Sequence, residues 1–97
     1  MSLVENIKDK LKTALPDLQK RYPIATLAIY GSIVRSDFDP VNSDIDIMVE
    51  FNGDIGWEFI DLSDELKNLL GRKIDLVSRR GVKPRYWEYI KDDIQYV

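Results

Sequence analysis

The chain has 97 residues, one domain's worth, with 44% apolar and 32% charged residues, as in ordinary water-soluble proteins. It holds no cysteine and no histidine, which excludes disulfide frameworks, Cys/His zinc sites and every mechanism that uses thiolate or imidazole. Its 14 Lys plus Arg against 17 Asp plus Glu leave a net charge of -3, which argues against a dedicated nucleic-acid surface and suits carboxylates gathered around a divalent cation.

The N-terminal residues lack a basic start followed by a long apolar run, so no signal peptide is expected. No apolar stretch approaches the roughly 20 residues of a membrane span, and the expected location is the cytosol. Leu3, Ile7, Leu11, Ala14, Leu15 and Leu18 recur at three- and four-residue spacing. That spacing predicts an amphipathic helix over residues 3–20, with a break expected near residues 14–17 at Pro16. Residues 24–30 are a short apolar run rich in β-formers and predict a buried strand. Gly31 and Ser32 follow at once, predicting a tight turn into a short helix with Ser32 near its N-terminus.

Residues 37–42, with Pro40, predict a loop. Residues 43–51 alternate. Asp44, Asp46, Met48 and Glu50 share one parity, and Ile45, Ile47, Val49 and Phe51 share the other, which predicts a half-buried strand with a carboxylate-bearing face. Residues 57–70 predict a helix striped by Phe59, Leu62, Leu66, Leu69 and Leu70 and stopped by Gly71. Residues 73–78 predict a third strand, residues 84–92 a helix opened by Pro84, and residues 94–97 a short extended tail. The fold class expected is α/β (α+β): a single domain over residues 1–97, in which helices pack on a small sheet, with strand directions left open.

Three features carry chemistry. Asp44 and Asp46 are two apart on a strand, so both side chains leave one face. Carboxylates that close repel unless a cation lies between them, and Mg²⁺ takes one or two carboxylates together with substrate phosphates. Asp75 is the one charged residue within the run Ile74-Asp75-Leu76-Val77, and burying it there is costly unless it is paired or liganded. It could join the first two in a metal site, or pair with Arg72 or Arg79. Gly31 and Ser32 offer backbone N–H groups and a close approach to an anion. Together these parts describe a site for a metal-bound nucleoside triphosphate.

At these residues the chain resembles the nucleotidyltransferase superfamily that shares a palm-like core with DNA polymerase beta. The signature is Gly-Ser, ten to twelve residues, Asp-x-Asp, and a third Asp on a later strand. Here it stands as Gly31-Ser32, residues 33–43, Asp44-Ile45-Asp46, and Asp75. More narrowly the chain is similar to the minimal nucleotidyltransferases, over essentially its whole length. Relatives often carry Arg or Tyr where Ile33 stands and Gly where Ser36 stands, and the loop before Ser43 is about one residue longer here. The resemblance implies a mixed sheet with a polymerase-beta-like core and a reaction in which a hydroxyl attacks the α-phosphate of ATP and pyrophosphate leaves. It implies two Mg²⁺ ions held by Asp44, Asp46 and Asp75, with Asp75 also helping to deprotonate the hydroxyl. It places Gly31 and Ser32 on the β- and γ-phosphates, with Ser43 as a further nucleotide contact; Arg35, the nearest cation to that loop, reads equally as a phosphate contact or as a helix-surface arginine.

The resemblance also implies a partner. Minimal members usually pair with a small helical HEPN protein, and the pair can be a toxin–antitoxin system in which AMP is placed on a toxin tyrosine. Two other readings stay open: an antitoxin that acts by binding alone, and a small-molecule adenylyltransferase that needs a second subunit. Neither a membrane nor direct nucleic-acid binding is expected, and a homo- or hetero-oligomer is allowed. The C-terminal aromatics Tyr86, Trp87, Tyr89 and Tyr96 suit an interface, although a terminal helix packing them onto the sheet is the simpler account. Trp57, following residues 53–56 beyond the second strand, lies on a loop that could reach the nucleotide, although a place in the core is the simpler account for it too. The basic stretch Arg79, Arg80, Lys83 and Arg85 reads as solvated surface or as a contact for phosphates or an acidic partner.

Overall fold

The computed structural model describes residues 2–97. Helix α1 spans Leu3–Arg21, and the Ser2 hydroxyl caps it by accepting the Glu5 N–H at 3.2 Å. It runs through Pro16 without the expected break. Pro16 removes the N–H that would bond the Lys12 carbonyl, a loss worth about 3 kcal/mol in a helix interior. Ile7 and Leu11 lie buried before it and Leu18 after it, so one continuous apolar stripe clamps both halves onto the same core. Arg21 Nη1 reaches Glu65 Oε1 at 2.6 Å and ties the far end of α1 to the second helix.

Strand β1 spans Ile24–Tyr30 and β2 spans Ile45–Phe51. They pair antiparallel, with Leu27 opposite Val49 and Tyr30 opposite Asp46. Helix α2, Glu58–Leu70, ends at Gly71, whose φ of 62° lies in the left-handed region that glycine enters without strain. It carries the chain over to β3, Ile74–Ser78, which pairs parallel with β2. Helix α3, Pro84–Ile90, is followed by a single turn of tighter helix and by β4, Gln95–Tyr96, which pairs antiparallel with β1. The four strands lie in the order β3-β2-β1-β4, a mixed sheet with β3 and β4 at its edges.

The two faces of the sheet differ. One parity of β2, Ile45, Ile47, Val49 and Phe51, joins Leu27 and Ile29 of β1 and Leu76 of β3 under α1 and α2, where Leu11, Leu62 and Leu66 are fully buried. The other face carries a smaller cluster of Tyr30, Met48 and Ile90, flanked by Val77, Val82, Trp87 and Ile94. Helix α3 therefore covers only part of it. Ile33, at the position where relatives often carry Arg or Tyr, is buried in the main core.

Two expected placements of aromatic residues fail. Trp57 stands 84% exposed just before α2. Tyr86, Tyr89 and Tyr96 are likewise exposed, since α3 is only seven residues long and turns Trp87 and Ile90 toward the sheet instead. No described helix is long and apolar enough to cross a membrane.

Replacing the helix-interior proline tests the clamp. Pro16→Ala restores one helical hydrogen bond, offset by about 1 kcal/mol of added unfolded-chain freedom. It should stabilise the fold by about 2 kcal/mol, read as a higher melting temperature by circular dichroism. Leu11→Ala, at a fully buried position, should lower stability by about 2–5 kcal/mol in the same assay.

Candidate active site

The sheet register assembles the sequence motifs at one end. The C-terminal end of β1 meets the N-terminal end of β2, because the two are antiparallel, and β3 starts at the same end, because it is parallel to β2. Tyr30, Asp46 and Asp75 are thereby direct neighbours across three strands, on the face that α3 only partly covers. Asp44 lies just before β2 rather than within it, since the strand begins at Ile45, whose N–H donates to the Lys73 carbonyl at 3.0 Å.

Asp46 is half-buried, whereas Asp44 and Asp75 are exposed. The argument from burial thus applies to Asp46 and not to Asp75, because β3 is an edge strand with water on its outer side. Asp75 pairs with neither Arg72 nor Arg79: Arg72 donates to the Pro40 carbonyl, and the Arg79 guanidinium lies 3.7 Å from the centre of the Trp87 ring. Burial, with the negative charges of Asp75 and then Asp44 adding to it, pushes the Asp46 carboxyl up from 3.8 to about 6. Arg35 acts in the opposite direction and is too weak to offset them.

Gly31 follows β1 with φ of 76° and opens a single turn of tight helix, Gly31–Ile33, in place of the longer helix expected there. The backbone angle favours glycine, and a Cβ there would displace the Asp46 carboxylate from its present place. Ser32 is half-buried beside it. The loop that delivers Asp44 is closed by Asp39. Its carboxylate accepts from the Val41 N–H at 2.9 Å and from Asn42 Nδ2 at 2.8 Å, which holds its pKa low. The Asp39 N–H donates to Ser43 Oγ at 3.0 Å, so Ser43 serves first as a clasp of this loop. Arg35 donates to Asp93 Oδ2 at 3.0 Å and to Asp37 Oδ1 at 3.4 Å. It joins the loop after Gly31 to the segment after α3, a contact 58 residues distant in sequence.

Tyr30 escaped the sequence reading. It is buried, faces Asp46 directly, and burial with the nearby Asp46, Tyr86 and Asp75 charges raises its phenol pKa far above the usual value. Its place directly before Gly31, on the parity opposite to Ile29, is the signal that could have found it.

Among the described residues no three carboxylates converge closely enough to cage a metal ion by themselves. Asp46 and Asp75 nevertheless stand abreast with Asp44 near, and neither Asp44 nor Asp75 has a described hydrogen bond or ion pair that holds it elsewhere. An all-oxygen donor set of one or two carboxylates, completed by phosphate oxygens and water, is what Mg²⁺ accepts, and a cation would favour the charged Asp46 that burial and the neighbouring negative charges disfavour. The residues fit such an ion.

Known proteins share this fold. The nucleotidyltransferase domain family matches residues 8–97. A Methanocaldococcus jannaschii protein with the provisional name protein adenylyltransferase is 37% identical over 99 residues, covering all of both chains. The protein adenylyltransferase MntA of Thermococcus cleftensis is 30% identical over 98 residues, spanning 100% of this chain and 98% of that one. A solved structure provisionally described as a minimal nucleotidyltransferase superposes with a TM-score of 0.78 at 29% identity, over 98% of this chain and 95% of that one. The fold and the family together define a transferase. The chain belongs to the nucleotidyltransferase domain family, with the minimal nucleotidyltransferase fold.

The raised Asp46 pKa makes stability depend on pH. The folded protein holds this proton more tightly than the unfolded chain does, so the contribution is full below about pH 4 and is lost as pH rises through about 6. Asp46→Asn should therefore melt a few degrees higher than the wild type at pH 7.5, and the gain should vanish near pH 4. Mg²⁺ should raise the wild-type melting temperature at pH 7.5 and leave Asp46→Asn largely unmoved. A gain independent of pH would show that repulsion at Asp46 is not its source.

Proposed function

We propose that residues 1–97 act as a single catalytic domain that transfers AMP from ATP to a hydroxyl of a protein acceptor. The observation that carries this reading is the lateral array of Asp46 and Asp75, with Asp44 beside them, next to a glycine whose missing Cβ leaves room for that carboxylate. The relatives named as protein adenylyltransferases support ATP and a protein acceptor.

In this proposal Asp44 and Asp46 would hold two Mg²⁺ ions, with Asp75 as a further ligand. The ions would neutralise charge on the attacking and leaving oxygens. Gly31 and Ser32 bind the β- and γ-phosphates through backbone N–H groups and the Ser32 hydroxyl. Asp75, exposed and unpaired, faces the incoming hydroxyl and accepts its proton. The acceptor oxygen attacks the α-phosphorus in line, an O–P bond forms, and the bond to pyrophosphate breaks. Arg35 can turn from Asp93 toward a phosphate oxygen, because an ion pair open to solvent holds it only weakly. Ser43 keeps Asp44 in place and can donate its hydroxyl proton to the nucleotide. The acceptor we favour is a tyrosine of a small helical HEPN toxin, with the reaction in the cytosol and the chain acting as its antitoxin.

Incubation of the protein with ATP, Mg²⁺ and the product of the neighbouring gene should add one AMP to that partner, read by intact mass. Asp44→Asn, Asp46→Asn and Asp75→Asn should each lower the rate at least about 100-fold, roughly 2.7 kcal/mol of lost barrier reduction. A partner that binds yet keeps its mass removes the toxin reading. Full neutralisation by the doubly substituted Asp44→Asn, Asp46→Asn protein would assign the antitoxin effect to contact alone.

A further inference from the structure

In-line displacement fixes the direction from which an acceptor arrives. The attacking oxygen and the leaving pyrophosphate lie on opposite sides of the α-phosphorus. With the leaving phosphates at Gly31 and Ser32, beyond the end of β1, the acceptor comes from the opposite side of β2, which is β3. Beyond β3 the sheet ends. The surface that meets the acceptor is therefore built by β3 and by the turn and helix that follow it.

That surface is a groove of about 490 Å³ lined by Val77, Ser78, Gly81, Val82, Lys83 and Tyr86. It begins beside the site, because Val77 leaves the same face of β3 as Asp75, roughly 7 Å further along the strand. A second hollow, between Lys83, Arg85, Tyr86 and Tyr89, shares two of these residues and extends it. Tyr86 and Tyr89 are 51% and 79% exposed and stack with ring centres 6.5 Å apart. Exposed, mutually ordered aromatics of this kind are the anchors of protein interfaces.

Charge selects the occupant. The chain is net acidic, yet Arg79, Arg80, Lys83 and Arg85 fall within seven residues that contain no carboxylate. Arg79 is committed to the Trp87 ring, and Arg80 donates to the carbonyls of Phe51 and Gly53. Lys83 and Arg85 make no ion pair or side-chain hydrogen bond among the described residues, and both border the groove. We infer that this groove is the acceptor-docking surface, and that it takes an acidic protein segment whose apolar or aromatic side chain enters between Val77, Val82 and Tyr86. A polyanion such as RNA fits less well, because the groove's lining along β3 and the turn after it is largely apolar. The inference rests on the proposed transfer reaction for its direction of approach.

The test uses labelled synthetic peptides with one tyrosine among glutamates or one among lysines, and a labelled oligouridylate, titrated against the whole protein by fluorescence anisotropy. The glutamate peptide should bind at least about tenfold more tightly than the lysine peptide, a difference of 1.4 kcal/mol. The double variant Lys83→Glu, Arg85→Glu should invert that order. Tyr86→Ser, which changes no charge, should weaken the glutamate peptide several-fold. Both variants replace exposed side chains, and unchanged circular dichroism melts verify folding. Equal binding of the two peptides, a preference that survives charge reversal, or tighter binding of the oligouridylate overturns the inference. ATP and Mg²⁺ added to the same mixtures separate it from the activity. Selective docking without AMP transfer upholds the groove and counts against the reaction. Transfer that ignores Lys83, Arg85 and Tyr86 upholds the reaction and removes the groove.

Discussion

Two carboxylates abreast on adjacent parallel strands are the constraint around which the rest of the site is arranged. Asp46 and Asp75 are register partners, and Asp46 is half-buried, so their repulsion is only partly screened by water. Arg35, turned toward Asp93 and Asp37, relieves only part of it. The register is held instead from the other face. Ile45 and Ile47 of β2 and Leu76 of β3 are buried under α1 and α2, and a slip of one residue would put them in water and the aspartates in the core. Burying each aliphatic side chain contributes about 1.5–3 kcal/mol, so several of them together outweigh one strained carboxylate pair. The apolar core thus forces the acidic array, and the array is left needing a cation.

This division of labour explains what could be read from the sequence. Strand β1 was legible to its ends, because an unbroken run of β-formers bounded by Pro23 and Gly31 admits no other assignment. The alternation in β2 was legible as well, and it correctly sent Ile45, Ile47, Val49 and Phe51 inward. Asp44, Asp46 and Asp75 could be singled out as residues, yet their proximity could not be, because it depends on strand order and on β2 and β3 being parallel. The exposure of Asp75 was hidden for the same reason: an apolar run looks alike at the centre and at the edge of a sheet.

Where the sequence reading failed, tertiary contacts had overridden a local rule. Pro16 is a helix breaker by propensity, but Ile7, Leu11 and Leu18 on both sides of it share one core, and α1 continues. Trp57, Tyr86 and Tyr89 are core residues by composition. They are exposed because the main core is already filled by α1 and α2, while α3 is too short to cover the second face with more than Trp87 and Ile90. Ser43, which the resemblance places at the nucleotide, has a structural task as well: its hydroxyl accepts from the Asp39 N–H and clasps the loop that aims Asp44.

The unequal faces also account for where an open site can exist at all. A sheet buried on both sides offers ligands only its ends, whereas this one leaves the region around Asp46, Asp75 and Val77 in reach of solvent. Full cover by a longer α3 would stabilise the fold by hiding Tyr86 and Tyr89, and it would also close the approach along β3. The contact between Arg35 and Asp93 sets the limit of that cover, pinning the segment after α3 to the loop after Gly31 at one rim of the site. Because this pair is open to solvent, it restrains the rim only weakly.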